Sequence, residues 1–223
     1  MVTHVVIPVR DQLHLTQSIC EQLKEQREWD KCWIYDNGSI DGTAEYLMEL
    51  FLNDPRFQPV EATGFGIYEM WDRGFSQAKM DGADFVAFLN NDIRLFENTF
   101  DRLNEILNSD EKAWIVYPDY NSTMKTSPSG WRETKGTYRH GGMSGFCFML
   151  RVNKIDWSPL VDPIFKWWGG DDDIAFNVEK RGGRQIRVLG LPVAHMNEGT
   201  ARHHNLGAQK AADLQEVLKK WGR

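Results

Sequence analysis

The chain alternates short apolar runs with longer amphipathic stretches. His4–Val9 is a β-branched run that reads as a buried strand. Gln12–Gln26 places Leu13, Ile19 and Leu23 at helical spacing, and Lys31–Tyr35 is a second strand broken by Asp36-Asn37-Gly38-Ser39. Asp41 then caps a helix carrying Ala44, Leu47, Met48 and Leu50–Leu52. A short strand follows at Gln58–Glu61, a helix at Ile67–Lys79 and a strand at Asp84–Leu89, closed by Asn90-Asn91-Asp92. A helix at Asn98–Leu107 and a strand at Ala113–Tyr117 complete the regular half. Strands alternating with helices at this spacing predict βαβ units and a mostly parallel sheet.

Beyond that point the pattern loosens. Asp119–Gly142 is rich in Ser, Thr, Gly and Pro, with Trp131, Tyr138 and His140 embedded, and reads as a long functional loop. A strand is expected at Met143–Arg151 and a helix with an acidic start at Asp171–Lys180. Extended pieces are expected at Gln185–Val188 and Pro192–Ala194. Gly207–Trp221 reads as an amphipathic helix burying Leu214, Val217 and Leu218. No internal repeat or low-complexity tract is present.

Composition narrows the class. With 41% hydrophobic and 26% charged residues in 223, the chain is expected to fold as one globular domain. A net charge of -6 gives no bulk attraction to nucleic acid or anionic membranes. The three cysteines form no disulfide framework or metal-type pair, which fits a reducing cytoplasm. No apolar run approaches the ~18 residues of a membrane span, and the N-terminus shows no leader-type pattern.

Three acidic groups follow strand patterns, where open α/β sheets place their ligands. Asp36-Asn37-Gly38-Ser39 suits hydrogen bonding to a base or ribose, or a plain turn with a helix cap. Asn90-Asn91-Asp92 offers oxygen ligands to Mg²⁺ or Mn²⁺, which neutralises a diphosphate, or is a polar strand exit. Trp167-Trp168-Gly169-Gly170-Asp171-Asp172-Asp173 opens a helix. The macrodipole accounts for one or two of those carboxylates; an aromatic wall beside a carboxylate also suits a general base acting on a hydroxyl. His195 is either structural or a metal ligand. His203 and His204, as neighbours, face opposite ways if extended and do not share a metal.

Taken together these motifs resemble family-2-type glycosyltransferases over roughly Thr3–Ala201. V-V-I-P-V-R is similar to the family's V-I-I-P-V-Y/F-N, and W-I-Y-D-N-G-S-I-D-G-T to its V-V-D-N-G-S-T-D-G-T. G-I-Y-E-M-W-D-R-G at Gly66–Gly74 looks like G-I-Y-D-A-M-N-K-G, and A-D-F-V-A-F-L-N-N-D like G-D-Y-I-x-F-L-N-x-D. All four occur in the family's order.

The resemblance implies a GT-A fold: a Rossmann-like, mostly parallel sheet flanked by helices. It would bind the nucleotide-sugar over about residues 1–118 and the acceptor over about 119–223. Pro8, Val9, Arg10, Asp36, Asn37 and Ser39 would line the nucleotide pocket, Arg10 in place of a more usual aromatic. Gly66, Tyr68, Asp72, Arg73, Asn90 and Asn91 would face the donor sugar and diphosphate. Asp92 would hold Mn²⁺ or Mg²⁺; Asn90 stands where many relatives have the first Asp of D-x-D. The W-G-G-D-D-D-I block resembles that of galactosyltransferases building N-acetyllactosamine and of polypeptide N-acetylgalactosaminyltransferases. It implies Asp171 as base, with Asp172 second, and Gly170 in place of the usual Glu. A-H-M-N-E-G-T implies His195 as a second metal ligand. Trp131, His140, Trp168, Gly169 and Gly170 would meet the acceptor.

The donor implied is a UDP-sugar, with GDP and dTDP open, and the acceptor is a glycan, lipid-linked sugar, protein or modified nucleic acid. Inversion is implied by the base; the block shared with retaining enzymes leaves retention open. A nucleotidyltransferase would carry a glycine-rich loop after the first strand, where this chain has Arg10-Asp11-Gln12-Leu13. A non-catalytic sugar-binding domain would not need both acidic sites. A DNA-modifying subclass would rely on Arg132, Lys135, Arg139 and His140 as a phosphate patch.

Overall fold

The structure is a computed structural model that describes residues 1–119, 130–135, 142–196 and 207–222. Tyr138, Arg139, His140, His203 and His204 lie outside the described residues.

In chain order the elements are β1 (Thr3–Val9), α1 (Leu13–Glu25), β2 (Lys31–Asp36), α2 (Thr43–Asn53), β3 (Phe57–Glu61), α3 (Ile67–Met80), β4 (Phe85–Leu89), β5 (Ile93–Arg94) and α4 (Thr99–Ser109). They continue with β6 (Ala113–Asp119), β7 (Gly130–Thr134), β8 (Cys147–Arg151), α5 (Gly170–Lys180), β9 (Arg184–Pro192), β10 (Ala194–His195) and α6 (Gly207–Trp221). The eight-stranded sheet has the order β3-β2-β1-β4-β8-β6-β9-β7, and β5 pairs with β10. Strands β3, β2, β1, β4, β6 and β9 run one way; β8 and β7 run against them.

Side-chain alternation explains the layers. Along β1, Val5, Ile7 and Val9 join one apolar cluster with Ile19, Leu47 and Leu103. Val6 joins the other, with Trp71, Phe148, Phe176 and Val217. Helices α1, α2 and α4 therefore cover one face, and α3, α5 and α6 the other. Gly74 lets α3 sit close on β1: a Cβ there would lie 2.7 Å from both methyl carbons of Val6.

Four elements differ from the pattern-based reading. The stretch Asp119–Gly142 is not loop throughout, because Gly130–Thr134 pairs antiparallel with the outer edge of β9. The Met143–Arg151 strand begins only at Cys147, since Gly145 and Phe146 form a turn. The two extended pieces after Arg184 are mostly one strand, bent by an irregularity opposite Pro118–Asp119 where Gly190 has φ 68. Helix α6 buries Asp213 and Val217 while Leu218 is 51% exposed; a charged residue with backbone partners has taken the inward position.

Candidate active site

Parallel pairing brings the carboxyl ends of β1, β2 and β4 to one rim. Val9 stands opposite Asp36, and the chain leaves β4 at Asn90 beside them. After β1 the backbone passes through two consecutive left-handed residues, Asp11 (φ 53) and Gln12 (φ 57). Such conformations persist where neighbours hold them. The Asp11 amide donates to Ser39 Oγ at 2.7 Å, and Asp11 Oδ1 accepts the Ile40 amide at 2.8 Å. The Leu13 amide donates to Asp41 Oδ2 at 2.8 Å, while Asp41 Oδ1 takes the Thr43 amide at 3.2 Å. Asp41 thus bonds the first amide of α1 and the first of α2, whose cap residue is Gly42 rather than Asp41 as expected.

Asp36 is buried, and its Oδ1 accepts both the Ser39 amide (3.0 Å) and hydroxyl (2.5 Å). Asn37 donates from its amide to the Val9 carbonyl at 2.9 Å. Its side chain bonds the Phe65 carbonyl (3.0 Å) and the Gly64 amide (2.8 Å). Turn chemistry therefore builds the rim and sets the Asp36 carboxylate at its edge. Pro8 is half-buried, and Arg10 is exposed beside buried Val9.

Gly66 is the N-terminal cap residue of α3. Arg73, one turn after Glu69, bonds its carboxylate at 3.0 Å and lies over the Phe65 ring at 4.2 Å, near this rim. Asp72 and Tyr68 are drawn elsewhere. Asp72 Oδ1 accepts the Leu160 amide at 2.6 Å. Tyr68 is buried against the start of α5.

The expected metal ligands meet. His195 pairs with Ile93 in the β5–β10 ladder, and the Met196 amide donates to the Asp92 carbonyl at 2.8 Å. Although 103 residues apart, His195 Nε2 and Asp92 Oδ1 come within 3.1 Å. The imidazole stacks on Phe146 with centroids 4.4 Å apart. Gln22 fixes the strand: its Oε1 accepts the Leu95 amide at 2.7 Å and its Nε2 donates to the Ile93 carbonyl at 3.3 Å. Among the described residues no three His, Cys, Asp or Glu side chains gather into a metal cage. A carboxylate and an imidazole suit a divalent cation that takes its remaining oxygens from a diphosphate and water. Asn90 and Asn91 flank the pair, the Asn90 amide bonding the Phe146 carbonyl at 2.9 Å and Asn91 Nδ2 reaching Thr16 Oγ1 at 3.4 Å.

The third acidic group lies across the turn that opens β8. Gly169, at φ 86, precedes α5, whose first turn holds Asp171, Asp172 and Asp173. Asp171 Oδ2 accepts the Gly145 amide at 2.9 Å. Burial pushes the Asp171 carboxyl above its ordinary range, while the amides of Gly145, Asp172 and Asp171 pull it back. Tyr68 and Trp71 back this corner at 5.3 Å from each other, edge to face. A Cβ on Gly170 would lie 2.2 Å from the Tyr68 ring, and one on Gly145 would lie 3.0 Å from the Trp71 ring. Gly170 therefore stands where a larger residue would clash with the Tyr68 ring. Burial, then the Asp171 charge, drive the Tyr68 phenol well above its usual range.

Trp168 is half-buried, with Lys210 Nζ 5.7 Å from its ring centre. Trp131 is 45% exposed on edge strand β7. Asp173 is a structural tie: its carboxylate accepts the Asp162 amide (3.0 Å) and the Trp221 indole (2.9 Å) and pairs with Lys220 (2.7 Å). Sequence reasoning missed Gly145 and Asp213. Gly145 falls within the strand expected at Met143–Arg151, and Asp213 within a helix whose expected inward face is Leu214, Val217 and Leu218, of which Val217 is buried.

Comparisons with known proteins agree with this architecture. The family model described as "Glycosyl transferase family 2" matches residues 4–166. No curated protein sequence matches the chain. Among solved structures, GalNAc-T7 with UDP, GalNAc and Mn²⁺ superposes with a TM-score of 0.78 at 14% identity, covering 99% of this chain and 48% of the other. The mannosyltransferase PcManGT from Pyrobaculum calidifontis, with GDP-Man and Mn²⁺, gives 0.69 at 15% identity, covering 98% and 63%. S. aureus TarS 1–349 with UDP gives 0.68 at 13%, covering 86% and 59%. This chain thus spans about half to two thirds of those proteins. Strand order, the motifs on the rim and the family match lead to one conclusion: the chain belongs to glycosyl transferase family 2 and has the GT-A fold.

Proposed function

We propose that this protein transfers a sugar from a UDP-sugar to an acceptor hydroxyl, with inversion, using Mn²⁺ or Mg²⁺ held by Asp92 and His195. The observation that carries the reading is the meeting of Asp92 and His195 at 3.1 Å on the rim that also bears Asp36. UDP is present in the GalNAc-T7 and TarS structures, and Mn²⁺ in those of GalNAc-T7 and PcManGT. Residues about 1–118 bind the donor, and about 119–223 bind the acceptor.

In this reading the Asp36 edge receives the base or ribose and Arg73 the donor's charged side. Asp171 is the base. Its raised pKa keeps proton affinity high enough to take the acceptor hydroxyl's proton, and the Gly145 amide fixes its orientation. The acceptor oxygen forms a bond to the anomeric carbon. The bond from that carbon to the diphosphate oxygen breaks, and its electron pair leaves with the UDP. A bound divalent cation would neutralise the charge gathering on the departing diphosphate. Trp168, Gly169 and Gly170 form the acceptor side. We place the protein in the cytoplasm, in keeping with three buried cysteines that form no disulfide among the described residues. No helix among the described residues is long and apolar enough to cross a membrane.

The test is a thermal-shift and hydrolysis screen of UDP-, GDP- and dTDP-sugars with and without Mn²⁺. One donor is expected to stabilise the wild type only with metal. Asp92→Ala and His195→Ala should lose that shift; Asp171→Ala should keep it and lose turnover. A wild type unmoved by every nucleotide-sugar would overturn the proposal.

A further inference from the structure

Helix α6 and the tryptophan-glycine turn both lie beyond the 4–166 family match, and α6 touches that turn and the first turn of α5 at three successive levels. At the first, Asp213 is 1% exposed. Its Oδ2 accepts the amides of Trp167 (2.9 Å) and Trp168 (3.0 Å). Its Oδ1 accepts the Lys166 amide (3.3 Å) and Gln209 Nε2 (2.8 Å). Three consecutive main-chain N–H groups converging on one carboxylate form an anion nest, and such charge-assisted bonds are about twice as strong as neutral ones.

At the second level Val217 packs under Gly169, where a Cβ would come within 2.5 Å of Val217 Cγ2. The third is Asp173 with Trp221 and Lys220, at 2.9 and 2.7 Å. The contact is reciprocal: a carboxylate of α6 holds the turn, and a carboxylate of α5 holds α6. Asp171 and Trp168 lie between these anchors.

We infer that Asp213 is a positioning residue for the acceptor side of the site. By drawing in the 166–168 amides it sets the direction of the Trp168 wall and the start of α5, and hence the Asp171 carboxylate on the Gly145 amide. This rests on the reading of Asp171 as the base. The donor rim is built from β1, β2, β4, β5 and β10, none of which bonds to the turn through Asp213. Loss of the nest should therefore reduce turnover and leave donor binding intact. Asparagine has the same shape but turns an N–H₂ group or loses a charge toward the three amides, so it opens the nest without leaving a cavity.

The experiment uses the full chain and Asp213→Asn, with Ile19→Val in the opposite layer as a control for modest loss of stability. Hydrolysis of UDP- and GDP-sugars with Mn²⁺ gives kcat and donor KM; UDP with Mn²⁺ gives the thermal shift; hydrogen exchange reads the 166–168 amides. For Asp213→Asn the expected result is an unchanged UDP shift, donor KM within about twofold, kcat lower by about tenfold or more, and faster exchange at Trp167 and Trp168. Ile19→Val should change neither kcat nor that exchange. Should Asp213→Asn not fold, Asp213→Glu carries the same readings.

An Asp213→Asn protein with wild-type kcat and accelerated exchange would overturn this inference and leave the transferase reading standing. So would a variant that loses its UDP shift and kcat together, which would mark an ordinary stability role. A wild type that neither binds UDP nor hydrolyses any donor would overturn the transferase reading, and this inference with it.

Discussion

Gly170→Ala tests the geometry behind the proposed base. The added Cβ would lie 2.2, 2.4 and 2.6 Å from three carbons of the Tyr68 ring, all far inside contact distance. The ring has little room to retreat, being 8% exposed and resting on Trp71, which is itself 3% exposed and packed against Phe88 and Phe148. Overpacking of this kind costs about 1–3 kcal/mol, and three contacts this short place it near about 3. Gly170 opens α5 without a positive φ, so alanine recovers up to about 1 kcal/mol of helix propensity. The net loss is about 2 kcal/mol, or a fall in melting temperature of about 4–8 °C for a chain of this size. Calorimetry of Gly170→Ala, Tyr68→Ala and the double variant measures it. The two changes should be strongly non-additive, because removing the ring removes the clash. A Gly170→Ala protein melting within about 1 °C of wild type would refute the claim that Tyr68 rests on Gly170, and with it the reason given for a glycine there.

Four further outcomes follow from the same structure. Asp171→Asn should abolish sugar transfer yet melt higher than wild type near neutral pH, since a carboxyl with a raised folded pKa favours folding while protonated and loses that contribution as pH rises through it. The wild-type pH–rate profile should accordingly show its acid limb above the ordinary carboxylate range; a limb at or below about 4 would count against Asp171 as base. Ser39→Ala removes the hydroxyl that donates to Asp36 (2.5 Å) and accepts from Asp11 (2.7 Å), and denaturant titration should show a loss of about 1–2 kcal/mol with weaker UDP binding. Asn90→Asp adds a carboxylate beside Asp92 at a half-buried position, so the UDP thermal shift should need several-fold less Mn²⁺.

Much of this was legible in the sequence because it is local. The β-branched runs, the turn residues after each strand and the acidic opening of α5 each state their conformation within a few neighbours. Element ends agree with the pattern to within a residue or two for β1, β2, α3 and α6. The motifs on β1, β2 and β4 needed only the parallel rule to arrive on one rim.

What the tertiary structure alone decided is which partner each carboxylate meets. In the run Asp171-Asp172-Asp173, identical side chains on successive residues of a helix point in different directions. Asp171 meets the Gly145 amide, while Asp173 is turned to α6 and joined to Trp221. Likewise Asp72 and Tyr68, adjacent in motif to Arg73, are drawn to Leu160 and Gly170 by helix rotation. Asp213 looks like a surface residue of an amphipathic helix until three main-chain amides, 45 to 47 positions away, are seen to need an acceptor. Sequence pattern reports a residue's own backbone and periodicity; partners brought in from distant segments settle its charge, burial and role.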